Sequence, residues 1–315
     1  MRVCPECGTK TDDLNCPKDG RLTIEEQLFT PHDPLSGQVV AGRYALAERI
    51  GSGGYGSVYR GTHKETGGDV AVKVLRAQRN NRREAVRRFH LEAQNAAALR
   101  HPNTVRVIDF GVHDGLLFLV MEYLYGRPLD ELISAEAPLP WRRAVHIARQ
   151  VLAAVGEAHE HERRIVHRDI KPSNFLLDET GDLLLADLGI ARRLDDPRLT
   201  RTLEQVGSLA YMAPEQRSGD DVGPAADLYS LALVLHELST GDLVTGNPGE
   251  DLEGFLGELV RGMGALAPVD RPDAGAALTR IQDWRAPEVV GDGEGEDPPD
   301  DPDPTPPRQP PIGGG

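Results

Sequence analysis

The sequence predicts an α+β fold in which the strands come first and the helices last, and three observations carry that prediction. Around a single helix at 82–99, short runs with strand-like alternation recur between residues 44 and 121, as in Tyr44-Ala45-Leu46-Ala47-Glu48-Arg49-Ile50 and Val70-Ala71-Val72-Lys73-Val74. From Pro138 to Glu162 the apolar spacing changes to three and four, with Val145, Ala148, Val151, Leu152 and Val155 on one stripe. The run Asp227 to Leu238 is apolar almost all round, which suits a helix through a core rather than on a surface. At 315 residues and 39% hydrophobic, the chain can build one large two-lobed domain or two ordinary ones, plus tails.

Charge and cysteine usage narrow the class. The net charge of −15 argues against general nucleic-acid binding, although much of it comes from residues 287–315, which are rich in Pro, Gly, Asp and Glu. That stretch has little to bury and reads as a disordered tail, placed at 285–315. No apolar run approaches the ~20 residues of a membrane span, and Met1-Arg2-Val3-Cys4-Pro5 does not start a signal peptide, so a cytoplasmic location is expected. All three cysteines precede residue 17, which fits a metal site or free thiols better than a disulfide framework.

Those cysteines sit in two similar knuckles, Cys4-Pro5-Glu6-Cys7-Gly8 and Cys16-Pro17-Lys18-Asp19-Gly20. The pattern resembles a zinc ribbon over residues 1–22, with Asp19 where a fourth Cys would be expected. Zinc accepts carboxylate oxygen, and Cys4, Cys7, Cys16 and Asp19 make an acceptable ligand set for Zn²⁺. A flexible leader with incidental thiols is the alternative. Residues 23–42, broken by Pro31, Pro34 and Gly37, read as a linker.

A folded domain is expected over 43–284. Its first hairpin carries Gly51-Ser52-Gly53-Gly54-Tyr55-Gly56 between two strands, the second being Ser57-Val58-Tyr59-Arg60. A dinucleotide-binding glycine loop would run into a helix instead, so the hairpin is read as a lid whose backbone can lie over triphosphate oxygens. Lys73 sits mid-strand in a buried run and needs an anionic partner. The helix at 82–99 offers Glu84 and Glu92, and its Arg79, Arg82, Arg83, Arg87 and Arg88 cluster reads most simply as a solvated face. In His167-Arg168-Asp169-Ile170-Lys171-Pro172-Ser173-Asn174, a carboxylate and an amide with four residues between them on a Pro-stiffened loop can place a base beside a hydroxyl and an oxygen ligand beside Mg²⁺. A hairpin over 175–186 then leads to Asp187-Leu188-Gly189, and a long polar loop ends in Met212-Ala213-Pro214-Glu215.

Taken in order, these parts resemble the serine/threonine protein kinases, in particular the bacterial ones of eukaryotic type, over roughly Arg43 to Trp284. The resemblance implies a two-lobed kinase fold with a β-rich small lobe and a helical large lobe, ATP and Mg²⁺ as reactants, and proteins with Ser or Thr acceptors as substrates. It implies Asp169 as base, Lys171 on the moving phosphoryl group, Lys73 paired with Glu92 on the phosphates, and Asn174 with Asp187 on Mg²⁺. Nucleotide contacts fall to Ile50, Gly51, Ser52, Gly53, Gly54, Tyr55, Gly56, Ser57, Val58, Ala71, Met121, Glu122, Leu124 and Leu176, with Tyr123 in the hinge. Thr200 and Thr202, near Arg198 and Arg201, become autophosphorylation sites whose phosphate Arg168 could meet, which would require self-association. Ser208 falls at the acceptor shelf. Asp227 and the pair Arg271–Glu215 take scaffold roles. Leu188 departs from the usual Phe, and 241–263 is short and Gly-rich for a kinase lobe. Those two departures sustain a rival reading, a nucleotide-binding pseudokinase scaffold acting through its terminal segments.

Overall fold

The computed structural model describes residues 2–4, 9–18, 20, 23–25, 33, 35–53, 56–75, 82–187, 209–244 and 246–284. At the N-terminus, β1 (Arg2–Val3), β2 (Lys10–Thr11) and β3 (Ile24–Glu25) form a small antiparallel sheet in the order β2-β1-β3. A second, six-stranded antiparallel sheet follows, made of β4 (Val39–Val40), β5 (Tyr44–Gly53), β6 (Gly56–His63), β7 (Asp69–Leu75), β8 (Val107–His113) and β9 (Leu116–Glu122) in the order β4-β5-β6-β7-β9-β8. Strand β3 lies against β5.

Period-two alternation sorts the side chains of this sheet onto two faces. Leu117, Leu119 and Met121 join Leu75, Phe89 and Ala93 beneath helix α1 (Arg82–Ala98). Phe118 and Val120 point the other way, onto Tyr44, Leu46, Tyr59 and Val72. The sheet begins earlier than Arg43. Val39 and Val40 pair with Ala45 and Tyr44, Val40 is buried, and Leu35 packs on the same cluster, so the end of the expected 23–42 linker belongs to the lobe. A two-residue strand leaves no periodicity to read, and Gly37, at φ 85°, supplies the turn that looked like a break.

The second half is built of β10 (Gly126–Pro128), α2 (Leu129–Glu136), α3 (Trp141–Glu160), β11 (Phe175–Asp178), β12 (Leu183–Leu185), α4 (Pro214–Ser218), α5 (Ala225–Thr240), α6 (Gly254–Met263) and α7 (Ala274–Asp283). Strands β10, β11 and β12 make a three-stranded sheet. Helix α3 starts at Trp141 because the extended Pro140 is its cap residue. Helix α5 is buried continuously from Ala226 to His236, as its sequence predicts, and Gly241 at φ 83° ends it. Within the short, Gly-rich 241–263 segment, Gly254–Met263 forms α6, whose Leu256, Leu259, Val260 and Met263 join the core formed by α3, α5 and α7. Trp284 closes this end, stacked on Phe255 and edge-on to Trp141. Among the described residues no helix is long and apolar enough to cross a membrane.

Two histidines make this packing pH-sensitive. His236 is buried on α5, and its Nδ1 accepts the Gly249 N–H at 3.2 Å. Burial lowers its pKa against the opposing pull of Asp251 and Asp242, and burial likewise lowers that of His101, whose Nδ1 accepts the Asn103 N–H. An unfolded imidazole takes a proton near pH 6.5. These folded ones take it only at lower pH, so acidification from pH 6.5 downward loads protons onto the unfolded state and removes stability. Chemical denaturation at pH 7 and pH 5 should therefore show a loss that shrinks in His236→Asn, whose amide oxygen can still accept from Gly249. An unchanged pH slope in that variant would remove His236 from the account.

Candidate active site

The loop at 164–174 is held from below by α5. Asp227, 1% exposed, accepts the backbone N–H groups of His167 (2.8 Å) and Arg168 (2.7 Å), and its Oδ2 is 2.9 Å from His159 Nε2. Arg168 has φ 66° and Asp187 φ 62°, left-handed conformations that cost a non-glycine residue about 1–3 kcal/mol and persist where surrounding bonds impose them. Arg168 is so imposed upon: Asp227 takes its N–H and Gln216 Nε2 donates to its carbonyl at 2.9 Å. His167 Nδ1 accepts the Asp169 N–H, which puts the ring hydrogen on Nε2, and Nε2 donates to the Ala186 carbonyl at 3.1 Å. The backbone just before Asp187 is thereby tied to the loop that carries Asp169.

Asp169 Oδ2 is 3.0 Å from Lys171 Nζ and 3.1 Å from Asn174 Nδ2, which also donates to the Asp169 carbonyl at 2.7 Å. Asn174 thus commits its amide hydrogens to Asp169 and keeps Oδ1 as the atom a cation could use. Across the cleft Lys73, 8% exposed, forms an ion pair with Asp187. A buried ammonium takes a carboxylate within reach, and in this arrangement that is Asp187, with no Lys73–Glu92 ion pair among the described residues. The other oxygen, Asp187 Oδ1, is buried with no hydrogen-bond partner. A buried unpaired carboxylate oxygen is costly, and such an oxygen fits a divalent cation, which prefers oxygen ligands.

The nucleotide side is assembled by strand register. Val58 lies opposite Lys73, and Ala71 opposite Met121. Ala71, Leu124 and Leu176 pack on the cluster that contains Met121, so four of the residues expected around adenine share one apolar surface. Gly51, Ser52 and Gly53 end β5, Gly56 and Ser57 open β6, and Ile50 is exposed on the hairpin. Gly56 admits no side chain, since a Cβ there would lie 2.1 Å from the Val74 carbonyl. Gly54 and Tyr55 lie outside the described residues, as do Leu188, Thr200, Thr202 and Ser208. Glu122 is held at the hinge by two bonds, its N–H to the Arg106 carbonyl and its carboxylate to the Arg106 N–H.

Several supporting contacts have no sequence signal. Arg60 pairs with Asp69 at 2.8 Å and lies over the Tyr123 ring, while Tyr125 also donates to Asp69, which braces the outside of the hinge. Asn103 donates to Gln150 Oε1 and to the Leu183 carbonyl, and its own carbonyl accepts the Leu185 N–H, fastening the turn after α1 to β12. Nothing local to His101-Pro102-Asn103 in the sequence points to Gln150 as its partner. Below the site, Arg271 meets Glu215 with two bonds of 2.6 and 3.0 Å and gives its remaining donors to the carbonyls of Ala265, Ala225 and Leu266. Burial pushes the Glu215 carboxyl up, but the Arg271 hydrogen bonds outweigh it and hold the pKa below the usual range.

At the N-terminus Cys4 and Cys16 are both buried, and the Lys18 N–H donates to Cys16 Sγ at 3.4 Å. Cys7 and Asp19 lie outside the described residues, and among the described residues no group of three potential metal ligands occurs.

Two lobes facing each other across Lys73, Asp169, Asn174 and Asp187 are the arrangement of the protein kinase class. Residues 44–257 match the family model described as protein kinase domain, and the chain belongs to that family. It is 42% identical over 207 residues to the serine/threonine-protein kinase PrkC of Bacillus subtilis (strain 168), a match covering 66% of this chain and 32% of the relative. Against the serine/threonine-protein kinase PknB of Mycobacterium leprae it is 38% identical over 205 residues, or 64% of this chain and 33% of the relative. The chain thus spans about a third of the length of the curated relatives it matches. Among solved structures, the kinase domain of Mycobacterium tuberculosis PknI superposes with a TM-score of 0.63 at 29% identity, covering 78% of this chain and 98% of that one.

The Arg271–Glu215 contact supplies a stability test. Lysine has three donors where Arg271 makes five bonds, and buried acceptors left unsatisfied typically cost about 1–3 kcal/mol. Arg271→Lys should lower the calorimetric melting temperature by that equivalent, and an unchanged transition would show that the contact is not what roots α4.

Proposed function

We propose that the chain is an ATP-dependent serine/threonine protein kinase, and the observation that carries the reading is Asp169 held between Lys171 and Asn174 opposite the Lys73–Asp187 pair. Asp169 orients the acceptor hydroxyl and receives its proton, while Lys171, 3.0 Å away, stabilises charge on the phosphoryl group in transit. Lys171, two residues after the base, points to Ser or Thr rather than Tyr as acceptor. Lys73 holds the α and β phosphates, and Glu92, three residues beyond the buried Phe89, is assigned to orient it. Asn174 Oδ1 and Asp187 are the residues that would hold Mg²⁺, which when bound neutralises charge on the transferring phosphates. The glycine hairpin, with Ile50, Ser57 and Val58, covers the triphosphate and the upper face of adenine. Ala71, Met121, Leu124 and Leu176 enclose the base, and the backbone of Glu122 and Leu124 meets its edge. Placement and fixed charge supply most of the rate in such a site.

Arg168 lies next to Asp169 and donates to the Val222 carbonyl, close to the segment that follows the long loop. A phosphate on Thr200 or Thr202 would bring nearly two negative charges for it to meet. Autophosphorylation there, between self-associating copies, is the proposed route to an ordered loop, with Ser208 at the acceptor shelf. Labelled ATP with Mg²⁺ and a generic basic protein tests both points. Asp169→Asn should lose about a hundredfold or more in transfer, and Thr200→Ala/Thr202→Ala should lose self-labelling and part of the activity. Equal labelling by wild type and Asp169→Asn, or none by either, would favour a nucleotide-binding scaffold.

For the N-terminal segment we propose a Zn²⁺ site of Cys4, Cys7, Cys16 and Asp19. The Lys18 N–H on Cys16 Sγ supports it, because zinc-bound thiolates commonly accept backbone N–H bonds from the knuckle that holds them. Native mass spectrometry of the fresh protein should show one zinc that a strong chelator removes, and metal-free fresh protein would end the proposal.

A further inference from the structure

Asp33 precedes the stretch from which the catalytic domain was expected to begin, yet it is buried against both strands of the glycine hairpin. Its Oδ1 accepts the Tyr59 hydroxyl at 2.9 Å and the Leu35 N–H at 3.0 Å, and its Oδ2 is 3.2 Å from the Arg49 guanidinium. Arg49 and Tyr59 are register partners across β5 and β6. The register shifts on both sides of that pair, between Leu46 and Arg49 and again between Arg49 and Gly51. Bulged ladders lose hydrogen bonds and twist more strongly, so the direction in which such a hairpin leaves depends on what else holds it.

What holds it here is the segment around Asp33. Gly37 N–H donates to the Leu46 carbonyl, Leu46 N–H donates to the Gln38 carbonyl, and the Ser36 hydroxyl donates to the Ala47 carbonyl, so residues 36–38 are strapped along β5 up to the first irregularity. Asp33 then bridges the strands at the pair between the two irregularities. The Tyr59 hydroxyl, with its pKa pushed up to about 12 by burial and by the Asp33 bond, stays a donor at working pH. Among the described residues, the hydrogen-bond and ion-pair partners of Asp33 lie on the hairpin or within its own turn and none lies on α1 or in the large lobe.

We propose that Asp33 is a positioning residue for ATP: by bridging Arg49 and Tyr59 it fixes the pitch at which the ends of β5 and β6, Gly51 to Gly53 and Gly56, are carried over the nucleotide. The inference rests on the reading of that hairpin as the nucleotide lid. It separates effects on nucleotide affinity from effects on the chemical step, because among the described residues no hydrogen bond or ion pair joins a partner of Asp33 to Asp169, Lys171 or Asn174.

The test uses the full chain, with kcat and KM for ATP measured on a generic basic protein, binding followed with a fluorescent ATP analogue, and melting temperature recorded in parallel. Asp33→Ala should raise KM and the analogue's Kd about fivefold, the factor that one lost hydrogen bond of ordinary strength represents, with kcat at saturating ATP within about twofold of wild type. Asp33→Asn, which keeps an acceptor for Tyr59 and loses the charge facing Arg49, should fall between. Adding Tyr59→Phe to Asp33→Ala should raise KM by less than Tyr59→Phe does alone, since the two changes share the Asp33–Tyr59 bond. Should Asp33→Ala fail to fold, Tyr59→Phe alone must show a rise in KM of the same sign. Val58→Ala checks the lid reading separately: a raised KM there with no change in Asp33→Ala overturns the Asp33 assignment alone, and no change in either overturns the lid reading with it. A lowered melting temperature at unchanged KM, or a fall in kcat alone, marks Asp33 as merely structural.

Discussion

A carboxylate buried in the middle of a helix core must be met by donors, because an unpaired one would cost far more than the packing around it returns. Asp227 is met by the His167 and Arg168 N–H groups and by His159. The first two donors are backbone of the loop at 164–174, so the requirement that stabilises α5 also dictates the conformation of residues 167 and 168. Arg168 accepts a left-handed φ as the consequence, and Gln216 from α4 completes the restraint at its carbonyl. Helix α4 is in turn rooted through Glu215 on Arg271. The position of Asp169 therefore descends by a chain of satisfied polar groups from the most buried helix of the large lobe.

A second chain descends from the sheet of the small lobe. Lys73 on β7 reaches Asp187, and the residue before Asp187 is fixed twice: the Ala186 carbonyl accepts from His167, and its N–H donates to the Asn174 carbonyl. The two chains meet at Asp187. Buried ion pairs rarely stabilise a fold more than apolar residues of the same size would, and their use is to fix a place. Here the pair leaves Asp187 Oδ1 buried and unpartnered. Strained backbone and an orphaned oxygen at one residue are the marks of a site shaped for a ligand rather than for stability.

Much of this could be read from the sequence, and the reasons are specific. The Asp169 to Asn174 spacing, the hairpin glycines and the unbroken apolar run of α5 are local patterns, and local patterns survive translation into one dimension. The partner of Lys73 does not, because Glu92 and Asp187 are both carboxylates at plausible distances along the chain and the choice depends on how the lobes close. Strand β4 was missed since two residues carry no period, and the Arg60, Asp69 and Tyr125 brace was missed since its members are single polar residues from three strands or turns. Gln150 was hidden within an apolar helix stripe, although a glutamine at 7% exposure must bond to something, here Asn103 and Leu183. Gly126 carried no signal at all, yet a Cβ there would lie 2.0 Å from the Leu177 carbonyl.

The distribution of these polar clasps follows from how the core is divided. The large lobe has one continuous core shared by α3, α5, α6 and α7, whereas the small lobe is split by its sheet into two thinner layers, one under α1 and one on the opposite face. Thin layers bury less apolar area per strand, and stability falls off toward their edges, where segments open at lower cost. The hairpin and the hinge both sit at such edges, and both are where the proposed nucleotide site opens to solvent. Packing them more tightly with apolar residues would hold them shut without fixing an angle, because the hydrophobic effect is non-directional. Hydrogen bonds and ion pairs are directional and individually modest. Asp33 on Tyr59 and Arg49, and Asp69 on Arg60 and Tyr125, thus give these edges a defined resting geometry while leaving them soft enough to move.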